Sequence, residues 1–229
     1  PLSLPSKFKL PTRPIFATKT EKINKGFVTD FGKETFGFIK IHGLKGKGKL
    51  NIYYGESREE ALSVSHCETL DLLELDLASK TDSVMALSKA FRYVNIQPEG
   101  LVSLDSISML YEYSPVAQRG SFKSSDAELN KIYEVSKYTF ELNTREFFID
   151  GIKRDRWIWS GDAYQSYLMN YYSIYDAPTV KRTLWAQRGK DPVTAHINTI
   201  MDYSFYWFLG IYDYYQYSGD KKFVQDIYP

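Results

Sequence analysis

Asp150-Gly151-Ile152-Lys153-Arg154-Asp155-Arg156-Trp157-Ile158-Trp159-Ser160-Gly161-Asp162 packs three carboxylates, three cations and two indoles into thirteen residues, with a glycine near each end. A buried helix would not tolerate that charge density without partners. A plain surface loop seldom carries two tryptophans, which are large apolar groups with one polar handle each. Carboxylates beside flat indole faces suit a sugar site: the acids hold hydroxyls or move protons, and the rings take the C–H faces. A plainer reading stays open. Lys153, Arg154 and Arg156 can pair with Asp150, Asp155 and Asp162 on a loop between two helices, with Asp162 only a helix cap and the indoles in a core.

Outward from this stretch the two sides differ. On the C-terminal side the spacing predicts a helix from about Asp162 to Tyr175, with Leu168, Tyr171, Tyr172 and Tyr175 on one side. Asp162 at its start would satisfy free N–H groups and suit the positive end of the dipole. Asp176-Ala177-Pro178 breaks the pattern and opens a helix over about Thr179–Arg188, ended by Gly189, Asp191 and Pro192. Another runs from about Thr199 to Tyr217, and a fifth begins near Asp220. The helix through Tyr203, Phe205, Tyr206, Trp207, Phe208, Leu209, Ile211 and Tyr212 is apolar on most sides, so other helices should enclose it. Four or five helices do this poorly, and the natural protein is expected to continue beyond Pro229.

On the N-terminal side, Ser125-Asp126-Ala127-Glu128 reads as a capping box with Ser125 at the cap, opening a helix over about Asp126–Asn143. Before Ser114-Pro115 the period changes to short runs between turns: Gly26–Phe31, Phe36–Ile41, Lys49–Tyr54, Val84–Leu87, Arg92–Ile96 and Ile107–Tyr113. His42–Gly48 is glycine-rich turn chemistry between two of them. Leu70–Leu77 fits a strand or a helical turn. The pattern predicts an antiparallel β-sandwich or jelly roll over residues 26–115 and a helical domain over 116–229. Residues 1–25 carry four of the nine prolines and read as an extended lead-in, an edge strand or a linker.

Composition narrows the partners. Hydrophobic residues make up 43% of the 229, enough for a proper core. Lys plus Arg number 29 and Asp plus Glu 28, without the clustered positive charge of a nucleic-acid or polybasic membrane surface. Cys67 is the single cysteine, which excludes a disulfide within the chain and argues against a cysteine-based zinc site. His42, His66 and His196 lack metal-ligand spacing and read as structural or surface residues. The sequence implies no metal and no cofactor. Its most apolar run, Tyr203–Tyr212, is too short to span a bilayer.

The motif Asp-Gly-x-Lys-Arg-Asp-Arg-x-x-Trp-x-Gly-Asp between the first two helices, after a β-domain, resembles the bacterial α-L-rhamnosidases of glycoside hydrolase family 78. Further pieces resemble that family in the same order: Asp30–Gly37, Tyr54-Gly55-Glu56-Ser57, Phe91-Arg92-Tyr93-Val94, Gly120–Asp126 and Asp202-Tyr203-Ser204. Each piece alone is weak and the ordered set is strong, covering about residues 26–220. The resemblance implies a β-sandwich followed by the first helices of an (α/α)6 barrel, and inverting hydrolysis of α-L-rhamnosides of plant glycans or glycosides. By the same resemblance Asp155 is the general acid, Asp150, Arg154 and Asp162 contact the sugar, Trp159 lines its pocket and Trp207 is a second platform. The family more often has Glu at the general-acid position, so Asp155 reaches one methylene less far. The water-activating base comes from a later barrel helix, so this chain alone is expected to be inactive. The implied partner is a rhamnose-containing glycan or glycoside, and the implied location periplasmic or extracellular. Two alternatives are a non-catalytic carbohydrate-binding protein that keeps the sugar contacts, and another helical-barrel sugar hydrolase or lyase.

Overall fold

A computed structural model describes residues 8–228; the start of the proline-rich lead-in, residues 1–7, lies outside the described residues. The chain divides into two compact units, Pro11–Glu112 and a second that takes in the chain from Tyr113 onward.

The first unit holds β1 (Thr12–Phe16), β2 (Lys19–Ile23), β3 (Gly26–Gly55), a short helix α1 (Arg58–Leu62), β4 (Leu70–Val84), β5 (Lys89–Gly100) and β6 (Ser106–Glu112). Every pairing is antiparallel. β3 organises the unit. Its first residues pair with one side of β5 (Phe27 opposite Ile96) and its last with the other (Ile52 opposite Ile96), so the strand curls around β5. Its middle pairs with β6 (Ile39 opposite Met109). The inward alternation follows the period of two: Ile39, Ile41, Leu50, Ile52 and Tyr54 are buried with Phe91, Val94, Ile96 and Met109.

One expectation changes here and two open readings are decided. His42–Gly48 is not a turn between strands but part of β3. Register shifts between Ile41 and Leu44 and between Leu44 and Gly46 take up the extra residues, and Gly43 and Gly46, at φ +61° and +110°, allow the bends. Leu70–Leu77 is strand, the start of β4. Residues 12–23 of the lead-in supply two edge strands: β1 pairs with β6 and β2 with β3.

Two of the quoted sequence pieces meet within this unit. Arg92 donates from Nε and Nη2 to the two carboxylate oxygens of Asp30, at 2.8 and 2.9 Å. That forked bond from Arg92 holds the Asp30 carboxyl below its ordinary range. In a third piece, Ser57 Oγ accepts from Glu60 N–H while Glu60 accepts from Glu56 N–H, which starts α1.

The second unit holds α2 (Ala127–Asn143), α3 (Ser160–Tyr172), α4 (Ala177–Arg188), a 3-10 turn (Ile197–Thr199), α5 (Met201–Ser218) and α6 (Lys221–Ile227). Aspartates cap three of them: Asp126 for α2, Asp176 for α4 and Asp220 for α6. The cap of α2 is therefore Asp126 and not Ser125; its Oδ1 accepts from the N–H groups of Glu128 and Leu129 at 2.8 and 3.3 Å. The core gathers Phe140, Phe148, Tyr167, Val180, Leu184, Trp207, Tyr214 and Phe223. α3 and α5 approach closely at Gly210, where an added Cβ would come within 2.8 Å of the Tyr167 ring.

α5 is enclosed on one side only among the described residues. Trp207, Gly210 and Tyr214 are buried, whereas Phe205, Phe208, Leu209 and Tyr212 are 58, 53, 46 and 60% exposed.

Candidate functional site

The charged stretch lies between α2 and α3. Its entry is tied down first. Thr144 bridges to Phe148, and Phe148 N–H donates to Thr183 Oγ1 of α4 at 3.2 Å. Phe148 is wholly buried, stacked at 5.5 Å on Phe140 and edge-on to Tyr167. Asp150 therefore stands two residues after a core residue.

Asp150 and Trp157 then close a small loop. Asp150 N–H donates to Trp157 O at 3.0 Å, and Trp157 N–H donates to Asp150 Oδ1 at 2.7 Å. Inside the loop Arg156 N–H donates to Arg154 O at 2.6 Å, across Asp155. Asp155 and Arg156 have φ of +53° and +51°, in the left-handed region. Aspartate is among the few non-glycine types that visit that region readily; arginine is not. Arg154, Asp155 and Arg156 are all exposed, as is Trp157 at 58%. The two left-handed residues thus set the candidate acid on an exposed, tightly turned loop.

Past the loop, Trp159 occupies the cap position of α3 and is half-buried. Its ring meets Tyr203 of α5 edge-on, centroids 5.9 Å apart and planes at 77°. Ser160, buried, donates from Oγ to Tyr203 O at 2.8 Å, and its N–H donates to Asn198 Oδ1 at 3.0 Å. Asp162 is not the cap. The helix starts two residues earlier, and Asp162 lies in its first turn, at the positive end of the dipole. Asp162 is exposed at the surface, yet the atoms around its carboxyl partly desolvate it and push it above its ordinary range; the Asp150 carboxylate adds like-charge pressure, against a hydrogen bond from Asp162's own N–H. Asp150 and Asp162 thus stand within electrostatic reach of each other.

Trp207 departs from the expectation of a second sugar platform. It is 5% exposed in the helical core, and its indole N–H donates to Leu184 O at 2.9 Å. Helical spacing alone does not say which aromatic residues of a largely apolar helix face inward. Tyr203 takes the place beside Trp159 instead. The piece Asp202-Tyr203-Ser204 was visible in the sequence; the contact across 44 residues was not.

Each histidine has a hydroxyl near its ring. His42 Nε2 lies 2.8 Å from Ser108 Oγ and its Nδ1 3.3 Å from Asp82. His66 lies 2.9 Å from Ser65 Oγ and His196 3.2 Å from Ser204 Oγ. No helix among the described residues is long and apolar enough to cross a membrane.

What the structure offers is an Asp150 carboxylate that closes the loop, Asp155 exposed on it, Asp162 with its raised carboxyl in the first turn of α3, and an indole beside a phenol ring. The bacterial alpha-L-rhamnosidase six-hairpin glycosidase domain matches residues 117–229, which include all of these groups. The N-terminal domain described as alpha-rhamnosidase-like, bacteroidetes, matches residues 1–96. The chain belongs to the alpha-L-rhamnosidase-like glycosidases. Solved rhamnosidases share the fold of this family member. The Klebsiella oxytoca enzyme with rhamnose bound has a TM-score of 0.76 at 21% identity over 94% of this chain. The family 78 rhamnosidase of Bacillus sp. GL1 gives 0.75 at 26% identity over 91%, and the alpha-L-rhamnosidase of Dictyoglumus thermophilum 0.75 at 20% over 96%. The rhamnosidase-like chain spans 47, 24 and 28% of those three chains respectively. No curated protein sequence matches it.

Proposed function

We propose that this protein hydrolyses terminal α-L-rhamnosyl residues of plant glycans or glycosides with inversion at the anomeric carbon. Asp155 acts as general acid and gives its proton to the glycosidic oxygen as the C–O bond breaks. A second carboxylate takes a proton from the water that forms the new bond on the opposite face, the two groups standing about 6.5–9.5 Å apart. Asp150, Arg154 and Asp162 hold the sugar hydroxyls, and Trp159, backed by Tyr203, takes an apolar face of the ring. The water-activating base is proposed to lie outside these 229 residues, which span less than half of each of those three structures. We place the reaction in the periplasm or outside the cell, where such glycans are met.

The observation that supports this reading most is the loop closed at Asp150 and Trp157, which leaves Asp155 exposed on a tight turn, while Asp150 helps to raise the Asp162 carboxyl just past the loop. The test is proton NMR of the first product released from an aryl α-L-rhamnoside by the full-length protein. β-L-Rhamnose appearing first is the expected result, and Asp155→Asn abolishes it. α-L-Rhamnose appearing first would contradict inversion. Robust turnover by residues 1–229 alone would contradict the placing of the base.

A second reading, a carbohydrate-binding protein without turnover, is favoured by Asp155 itself, one methylene shorter than the family's usual glutamate. Asp155→Glu separates the two: a gain from no turnover to measurable turnover, with rhamnose binding unchanged, supports the binding protein.

A further inference from the structure

The first turn of α3 lacks something at its start. The first N–H groups of any helix have no partner within the helix. Trp159, at the cap position, has no side-chain acceptor to offer them. Ser160 is 1% exposed, which keeps water from its N–H. The acceptor arrives from 38 residues away, where Asn198 Oδ1 lies 3.0 Å from Ser160 N.

The segment carrying Asn198 is shaped for that contact. Asn198 has φ +52° and ψ +24°, and Thr199 follows at φ +62°. Asparagine tolerates the left-handed region; a β-branched threonine there is strained and holds only where its surroundings impose it. Here they do. Thr199 N–H donates to His196 O at 2.9 Å and Ile200 N–H to Ile197 O at 3.1 Å. Ser204 Oγ, in the first turn of α5, accepts from Ile197 N–H at 3.1 Å and lies 3.2 Å from His196 Nδ1. In the other direction Ser160 Oγ donates to Tyr203 O at 2.8 Å. The turn before α5 and the starts of α3 and α5 therefore form one hydrogen-bonded ring, and the Trp159 and Tyr203 side chains meet beside it.

We propose that Asn198 is a positioning residue for the sugar site: its carboxamide oxygen caps α3 from outside the helix and so fixes Trp159 and Asp162 relative to α5. The role in sugar binding rests on the rhamnoside reading above; the cap itself does not. Asn198 touches no substrate in this account and acts through Ser160.

Two variants of the full-length protein separate the acceptor from the backbone shape. Asn198→Gly keeps the left-handed conformation and removes the acceptor, whereas Asn198→Asp keeps an acceptor in the same place. Hydrogen exchange is followed in the segment 159–163, with the unfolding midpoint as control and L-rhamnose affinity read from tryptophan fluorescence. Asn198→Gly should speed exchange in that segment about tenfold, the size expected for one buried N–H left without a partner. It should weaken rhamnose binding by a similar factor, and Asn198→Asp should restore both. Unchanged exchange in Asn198→Gly would overturn the proposal, as would equal damage in both variants. If exchange responds as stated while the unaltered protein binds no rhamnose, the cap is upheld and the rhamnoside reading falls.

Discussion

Asp162 carries a conflict that a purely structural residue would not need. Its carboxyl is partly desolvated and faces the like charge of Asp150, so its pKa in the folded protein lies above the unfolded value. The folded state then binds a proton more tightly than the unfolded one, and stability falls as pH rises through the window between the two values. Above that window the charged carboxylate is a net cost, and below the unfolded value the cost is absent. Asp162→Asn is therefore expected to raise the unfolding midpoint at pH 7, with the gain largely gone by about pH 3, below the ordinary aspartate value of about 3.9. Thermal unfolding at both values checks this, and a lowered midpoint at pH 7 would contradict it. Residues held at a cost to stability are what a binding site requires. Residue identity was readable to this depth in the sequence: acids beside indoles marked the stretch. The sequence does not reveal the burial of Trp207, because burial is decided by what packs on a helix, and here Leu184 and Tyr167 share its core cluster.

At the scale of elements, α3 and α5 carry the site between them, and their distance is set at Gly210. Gly210→Ala would bring a methyl within 2.8 Å of the Tyr167 ring and 3.2 Å of Leu184. Tyr167 is wholly buried and its hydroxyl is bonded to Gln187 at 3.2 Å, so the ring has little room to yield. A loss of about 1–3 kcal/mol in denaturant unfolding is expected, the usual result of overpacking a core. An unchanged midpoint would mean that the two helices separate freely. Helix existence followed from the period of the apolar residues, and Asp176 and Asp220 each cap the helix that follows them. Helix starts did not follow so well. At α2 two adjacent residues compete for the cap and the carboxylate of Asp126 takes it. At α3 the cap position falls on Trp159 and the acceptor comes from Asn198, which local spacing cannot reveal.

Over the whole chain, the β-unit shows why strand positions were easier to read than their joining. The alternation at Phe36–Ile41 and Lys49–Tyr54 is plain in the sequence, but the glycine-rich link between them reads as a turn. Whether such a link turns or continues as a bulged strand depends on distant partners, here β4 and β5, and β3 runs through it unbroken. In the helical unit, the exposed face of α5 makes its own prediction. Residues 1–229 in isolation should bind the apolar dye ANS, and Phe205→Ser combined with Leu209→Ser should reduce that binding, since both side chains lie on the exposed face. No dye binding by the unaltered chain would show that this face is covered.

The central claim is that Asp150, Asp162 and the Trp159 shelf form a rhamnose site. Isothermal titration of L-rhamnose into the full-length protein tests it most directly, with Asp150→Asn and Asp162→Asn as controls. Saturable binding that either change abolishes or severely weakens is the predicted result. No binding, or binding that both variants retain in full, would contradict it and return the stretch to an ion-paired loop between two helices.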